Sequence, residues 1–134
     1  MDQNTLVISG QALVSALDDA GIPPRVAMWV HSPDMDTWKL WIVPHASIKD
    51  KLEFYKRVAE IASKNRTATG GIKASDTEMK EDDHPAMQGL RRYITAPGLN
   101  SISFSGNKFN GFYLPDGIIL RVDFSSATRD RLLT

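Results

Sequence analysis

His84 follows two aspartates, Asp82 and Asp83, in a stretch that also carries Asp76, Glu78 and Glu81. Carboxylates suit hard divalent ions, and imidazole suits zinc or iron. With His45 folded beside it, His84 is the residue best placed for metal-assisted hydrolysis of a nucleic acid or a small phosphorylated compound. The spacing does not demand this. There is no His-Glu-x-x-His and no carboxylate pair repeated along one helix. The simpler reading has Asp83 and His84 capping a helix that opens at Pro85, with the other acids in water. On this basis no metal site, no cofactor and no catalytic residue is assigned.

Other chemical signatures dissolve on inspection. The run from Gly106 to Gly111 has the glycine spacing of a phosphate loop, but Phe112 and Tyr113 stand where lysine and a hydroxyl residue belong. Ser105 and Lys108 have serine–lysine spacing without the helix start that chemistry needs. The chain has no cysteine, so thiolate nucleophiles and thiolate-held zinc are out.

Aromatic residues offer more. All three tryptophans lie between residues 29 and 45. Two β-branched and aromatic runs, Val26 to Ser32 and Thr37 to Val43, flank the turn residues Pro33 to Asp36, which predicts a hairpin. With the loop at 33–36, Ser32 faces Thr37, His31 faces Trp38, Trp29 faces Leu40 and Met28 faces Trp41. Trp29 and Trp38 then share a face suited to a core beneath a helix. The opposite face carries Val26, Met28, Val30, Lys39, Trp41 and Val43. It is too apolar for water, so a helix, a second subunit or a ligand must cover it. Trp41, Met28 and Lys39 are therefore candidate contact residues. Asn107, Asn110 and Tyr113 join them as the lip of a pocket, although turn chemistry accounts equally well for the asparagines.

The elements that position these residues follow from periodicity. A helix ends near Ala20, stopped by Gly21 and Pro23–Pro24, and starts after either Asn4 or Ser9. A longer helix starts at a Ser47-x-x-Asp50 box and runs to about Arg66. Its stripe is Ile48, Leu52, Tyr55, Ala59 and Ala62, flanked by Phe54, Val58 and Ile61. Thr67 to Gly71 reads as a mobile loop, Thr77 to Lys80 as a short edge strand, and Pro85 to about Tyr93 as a short helix. Alternation from Ser101 to Ser105, a strand near Phe109 to Leu114, and Ile118 to Phe124 after a Pro-Asp-Gly turn predict a three-stranded meander. Residues 125–134 form a polar tail. The expected class is α+β. It comprises an antiparallel or mixed sheet of about five or six strands, with a long helix and one or two shorter helices on one face.

At 134 residues the chain is the size of one domain. Basic and acidic side chains balance at 16 each, which argues against binding driven by phosphate neutralisation. The basic outer face of the long helix (Lys49, Lys51, Lys56, Arg57, Lys64 and Arg66) is the weaker nucleic-acid reading. No apolar run approaches the roughly 20 residues that cross a bilayer. The function expected is a soluble, cytoplasmic, non-catalytic binding module. Its expected partners are a second copy of the chain, in a homodimer, and a small molecule.

Overall fold

The structure is a computed structural model and describes residues 2–124; the expected tail at 125–134 lies outside the described residues. The class is α+β, with three α-helices and seven strands among the described residues. In chain order these are α1 (Gln3–Asp19), β1 (Val26–Ser32), β2 (Thr37–Val43) and α2 (Lys51–Lys64). A short 3-10 turn (Ala74–Asp76) leads to β3 (Thr77–Met79) and α3 (Pro85–Tyr93). The last strands are β4 (Ile102–Phe104), β5 (Asn107–Phe109), β6 (Phe112–Leu114) and β7 (Gly117–Val122). The main sheet has the order β3-β2-β1-β7-β4, and β5 and β6 form a separate pair. Among the described residues only β3 runs parallel to its neighbour.

α1 starts at Gln3, slightly ahead of the longer of the two expected starts. The Asp2 carboxylate accepts from the Thr5 amide at 2.8 Å and caps the helix. Gly10, which weakens a helix on propensity alone, is needed for packing. A Cβ there would lie 2.5 Å from Leu120 Cδ1 and 2.6 Å from Trp29 Nε1. The Trp29 indole fills this space and donates to the Leu6 carbonyl at 2.8 Å. The β1–β2 hairpin has the expected register, Ser32 against Thr37 through Val26 against Val43.

α1 and α2 cover the sheet face that carries Ala27, Trp29, Leu40 and Ile42. α2 starts later than the Ser47 box implies, because Asp50 is the cap and accepts from the Glu53 amide. Its buried residues are Phe54, Val58, Ile61 and Ala62. The residues expected to flank the stripe are its centre, and Leu52 is 81% exposed.

The other face, Val26, Met28, Val30, Val43, Ile119 and Val122, is covered from within the chain. α3 lays Ala86, Met87 and Leu90 on it, and the β5–β6 hairpin adds Leu114 with Phe109 and Phe112 at its margin. The middle strand of the expected meander is thus a hairpin folded over the sheet, and β4 pairs directly with β7. Asn110 (φ 53°) and Gly111 (φ 79°) form its two-residue turn, where positive φ matches strand twist. Gly89 lets α3 approach this turn: a Cβ there would meet Asn110 N and Phe109 C, each at 2.7 Å.

β7 departs from simple alternation. Ala27 pairs with Arg121 but Met28 with Ile119, so the ladder carries a bulge. Ile118 and Leu120 pack on the α1 side, while Ile119 and Val122 pack on the α3 side. Arg121, which strict alternation would set on the face opposite Leu120, reaches Asp18 at the end of α1 with two bonds of 2.7 and 2.8 Å. Its Nε donates to the Gly98 carbonyl at 2.9 Å, so this 8%-exposed guanidinium is bonded on several sides.

Candidate functional site

β2 outruns its neighbour. β3 begins at Thr77, opposite Leu40, so β3 does not pair with Thr37 to Lys39. The Lys80 amide donates to the Ile42 carbonyl at 2.8 Å, which turns the polar backbone of Ile42 towards β3. By strand alternation the Trp38 N–H and C=O point the same way, into the gap where β3 has not yet begun. Across that gap lie the 3-10 turn, the Gly70–Ile72 segment and Leu6 of α1. They enclose a cleft of about 290 Å³ lined by Leu6, Trp29, Asp36, Thr37, Trp38, Lys39, Gly70, Gly71, Ile72 and Asp76.

Each wall is fixed locally. Trp29 is held by Leu6, and Trp38 lies 5.0 Å from the His31 ring, centroid to centroid. His31 Nε2 is 2.9 Å from Asp36 Oδ1; a carboxylate only accepts, so Nε2 carries the proton. Asp36 takes a left-handed conformation (φ 50°) that aspartate tolerates better than most residues. The segment read as a mobile loop is a chain of turns. The amides of Thr69, Gly70, Gly71 and Ile72 donate to the carbonyls of Asn65, Thr67, Arg66 and Thr69. Thr69 is fully buried, and Gly70 packs so close to Ser9 that a Cβ would lie 2.7 Å from its Oγ. Lys39 donates to the Ser75 carbonyl, and Asp76 Oδ2 accepts from the Lys73 amide at 2.9 Å.

The second tryptophan setting is the opposite face of the hairpin, around Trp41. His84 meets Trp41 edge-on at 5.8 Å and Phe112 at 4.7 Å. Lys80 Nζ lies 4.2 Å from the Trp41 ring centre and 3.0 Å from Glu78. His84 also caps α3, its Nδ1 accepting from the Ala86 amide at 3.1 Å. Burial lowers its pKa below the usual 6.5, the Lys80 charge adds to this, and Asp83 opposes.

The sequence candidates fall in three places. Met28 is fully buried under α3. Trp41 is half-buried in the His84–Phe112 cluster, next to Met28 in the ladder. Asn107, Asn110 and Tyr113 are exposed on the β5–β6 hairpin. Lys39 alone of the six lines the Trp38 cleft. The metal reading gains nothing from geometry, since no group of three histidine, aspartate or glutamate side chains converges among the described residues. Sequence reasoning assigned Trp38 to the core, against which it packs, but missed that it also bounds a cleft, and missed the wall formed by Gly70 to Ile72. The gap beside Trp38 depends on a parallel register that no local pattern encodes.

A wider hollow of about 510 Å³ lies across Gly71 and Ile72, lined by Ala59, Ala62, Ser63, Arg66, Lys73 and Ala74. It has no aromatic wall and fewer polar groups that converge. No helix among the described residues is long and apolar enough to cross a membrane. No family model, no curated protein and no solved structure matches this chain, so its function is argued from the Trp38 cleft itself.

Proposed function

We propose that the protein is a non-catalytic binding module that takes a small molecule in the Trp38 cleft. The observation that supports this is the lining: an apolar floor of Leu6, Trp29 and Ile72, one aromatic wall, and a few convergent polar groups beside an open strand edge. That is the composition of ligand sites, at the small end of their usual ~300–1,000 Å³. Asp36 is 93% exposed, so the His31–Asp36 pair lacks the desolvated setting in which catalytic pairs are tuned.

The case for a homodimer rested on an uncovered second hairpin face. α3 and the β5–β6 hairpin cover it within the chain, so self-association forms no part of this proposal. Sedimentation at micromolar concentration should give the mass of one chain. A cysteine-free composition is in keeping with a cytoplasmic setting. The test of binding is a fragment screen by amide and indole NMR. Hits should move the Trp38 indole together with Gly70, Gly71 and Ile72, and Trp38→Ala should abolish them. Hits confined to other surfaces, or none at all, would end the proposal.

A further inference from the structure

We infer that the ligand of this cleft is a small organic cation, an ammonium group on a flat apolar body; this rests on the reading of the cleft as a binding site. The inference comes from which polar atoms are already engaged. The loop wall offers no donors, because the Gly70, Gly71 and Ile72 amides all bond to carbonyls of their own segment. The Lys39 ammonium is held by the Ser75 carbonyl. The Trp38 backbone amide, the Thr37 hydroxyl and the two other N–H groups of Lys39 are the donors left. An anion would meet these donors beside two carboxylates, which outnumber the one lysine in the lining.

The acceptors are in the opposite position. Asp36 uses one oxygen for His31, and Asp76 uses one for the Lys73 amide. Each keeps a second carboxylate oxygen, and both residues line the cleft. Two carboxylates face one lysine there. Trp38 lines the same cleft, and an indole face is the side-chain surface that attracts a cation most strongly. Leu6, Trp29 and Ile72 supply the apolar floor for the body of the ligand. The parts are a carboxylate pair for the N–H groups, a ring for the charge and a floor for the hydrocarbon. Together they select a primary or secondary amine over an alcohol or an acid of the same shape.

The test compares three probes matched in shape: phenethylammonium, phenethyl alcohol and hydrocinnamate. Each is titrated against the full chain while the Trp38 indole resonance is followed. The ammonium should bind roughly tenfold or more tighter than the other two. Asp76→Asn, which keeps an acceptor for the Lys73 amide, should cut ammonium affinity about fivefold and leave the alcohol unchanged. Asp36→Asn is the second variant and should act in the same direction. An alcohol or acid that binds as tightly as the ammonium overturns the cation assignment and leaves the cleft standing as a site. Silence of all three at about 10 mM also overturns it, weaker binding than that being below a useful single contact. The fragment screen then decides separately whether the cleft binds anything.

Discussion

The hairpin presents two half-buried tryptophans, Trp38 and Trp41, three residues apart on opposite faces, and the chain treats them differently. Around Trp41 the neighbours close in: His84, Phe112 and Lys80 all meet its ring, and α3 seals Met28 beside it. Around Trp38 the neighbouring strand starts too late to complete the sheet, leaving a ring, an open strand edge and two carboxylates beside a hollow. A large aromatic residue on a strand thus reports on function only through the length of the strand next to it. Here the shorter β3 makes the distinction.

The strongest way to break this contrast is to open the sealed face. Gly89→Val would drive a side chain into the backbone of the β5–β6 turn, which cannot yield as a side-chain tip would. We expect a loss of about 3 kcal/mol, read as a lower urea midpoint, with increased solvent exposure of Trp41. Next, the two tryptophans should separate in a matched pair of truncations. Trp41→Ala should cost about 2 kcal/mol, and Trp38→Ala about 1 kcal/mol, since Trp38 packs on the core with one side while also bounding a hollow. Equal losses would mean that the cleft is ordinary packing.

Gly10→Ala tests the floor of the cleft from behind. The added methyl must displace Leu120 or the Trp29 indole, at about 1–3 kcal/mol, against a gain of about 1 kcal/mol in helix propensity. The net result should be a modest destabilisation, with a shifted Trp29 indole resonance. The smallest effect concerns acid. His84 is held neutral in the folded state, its pKa below the usual 6.5, so the unfolded chain takes up the proton first. The stability it contributes is complete above about pH 6.5 and is lost as the pH falls from there towards the folded value. His84→Asn keeps a capping acceptor without titrating. It should flatten that part of the pH–stability curve and leave the Trp38 cleft unaffected.

How much of this was legible depended on whether the physics was local. The β1–β2 register followed from the turn residues 33–36 and the two runs beside them, and every expected pair is present. The His84 cap of α3 was readable from the polar run before Pro85, whereas α1 starts at Gln3 under an Asp2 cap, ahead of both expected starts. The failures were of another kind. Apolar Met28 and Trp41 required a cover, but nothing in the sequence said that the cover was Ala86, Met87 and Leu90 from the same chain. Arg121 alternates with Leu120 on paper, and only the bulge brings it to Asp18. Leu52 and Phe54 both fit a helical stripe, and the sheet beneath chose Phe54. The candidate site belongs with these failures, because it arises where β2 extends past β3.

The pairing of β1 with β7 has a consequence for how the protein is made. The first strand of the sheet gains one neighbour after a short turn, but must wait for the last strand of the sheet to gain the other. The bond from Arg121 back to Asp18, 103 residues earlier, closes the same circuit. While the ribosome is still adding residues before Gly117, α1 has no Leu120 to rest on, and the hairpin has an open inner edge that invites pairing with other chains. Such distant partners make for slow, all-or-none folding. The nascent chain should therefore be most vulnerable to aggregation and proteolysis until its final strand emerges.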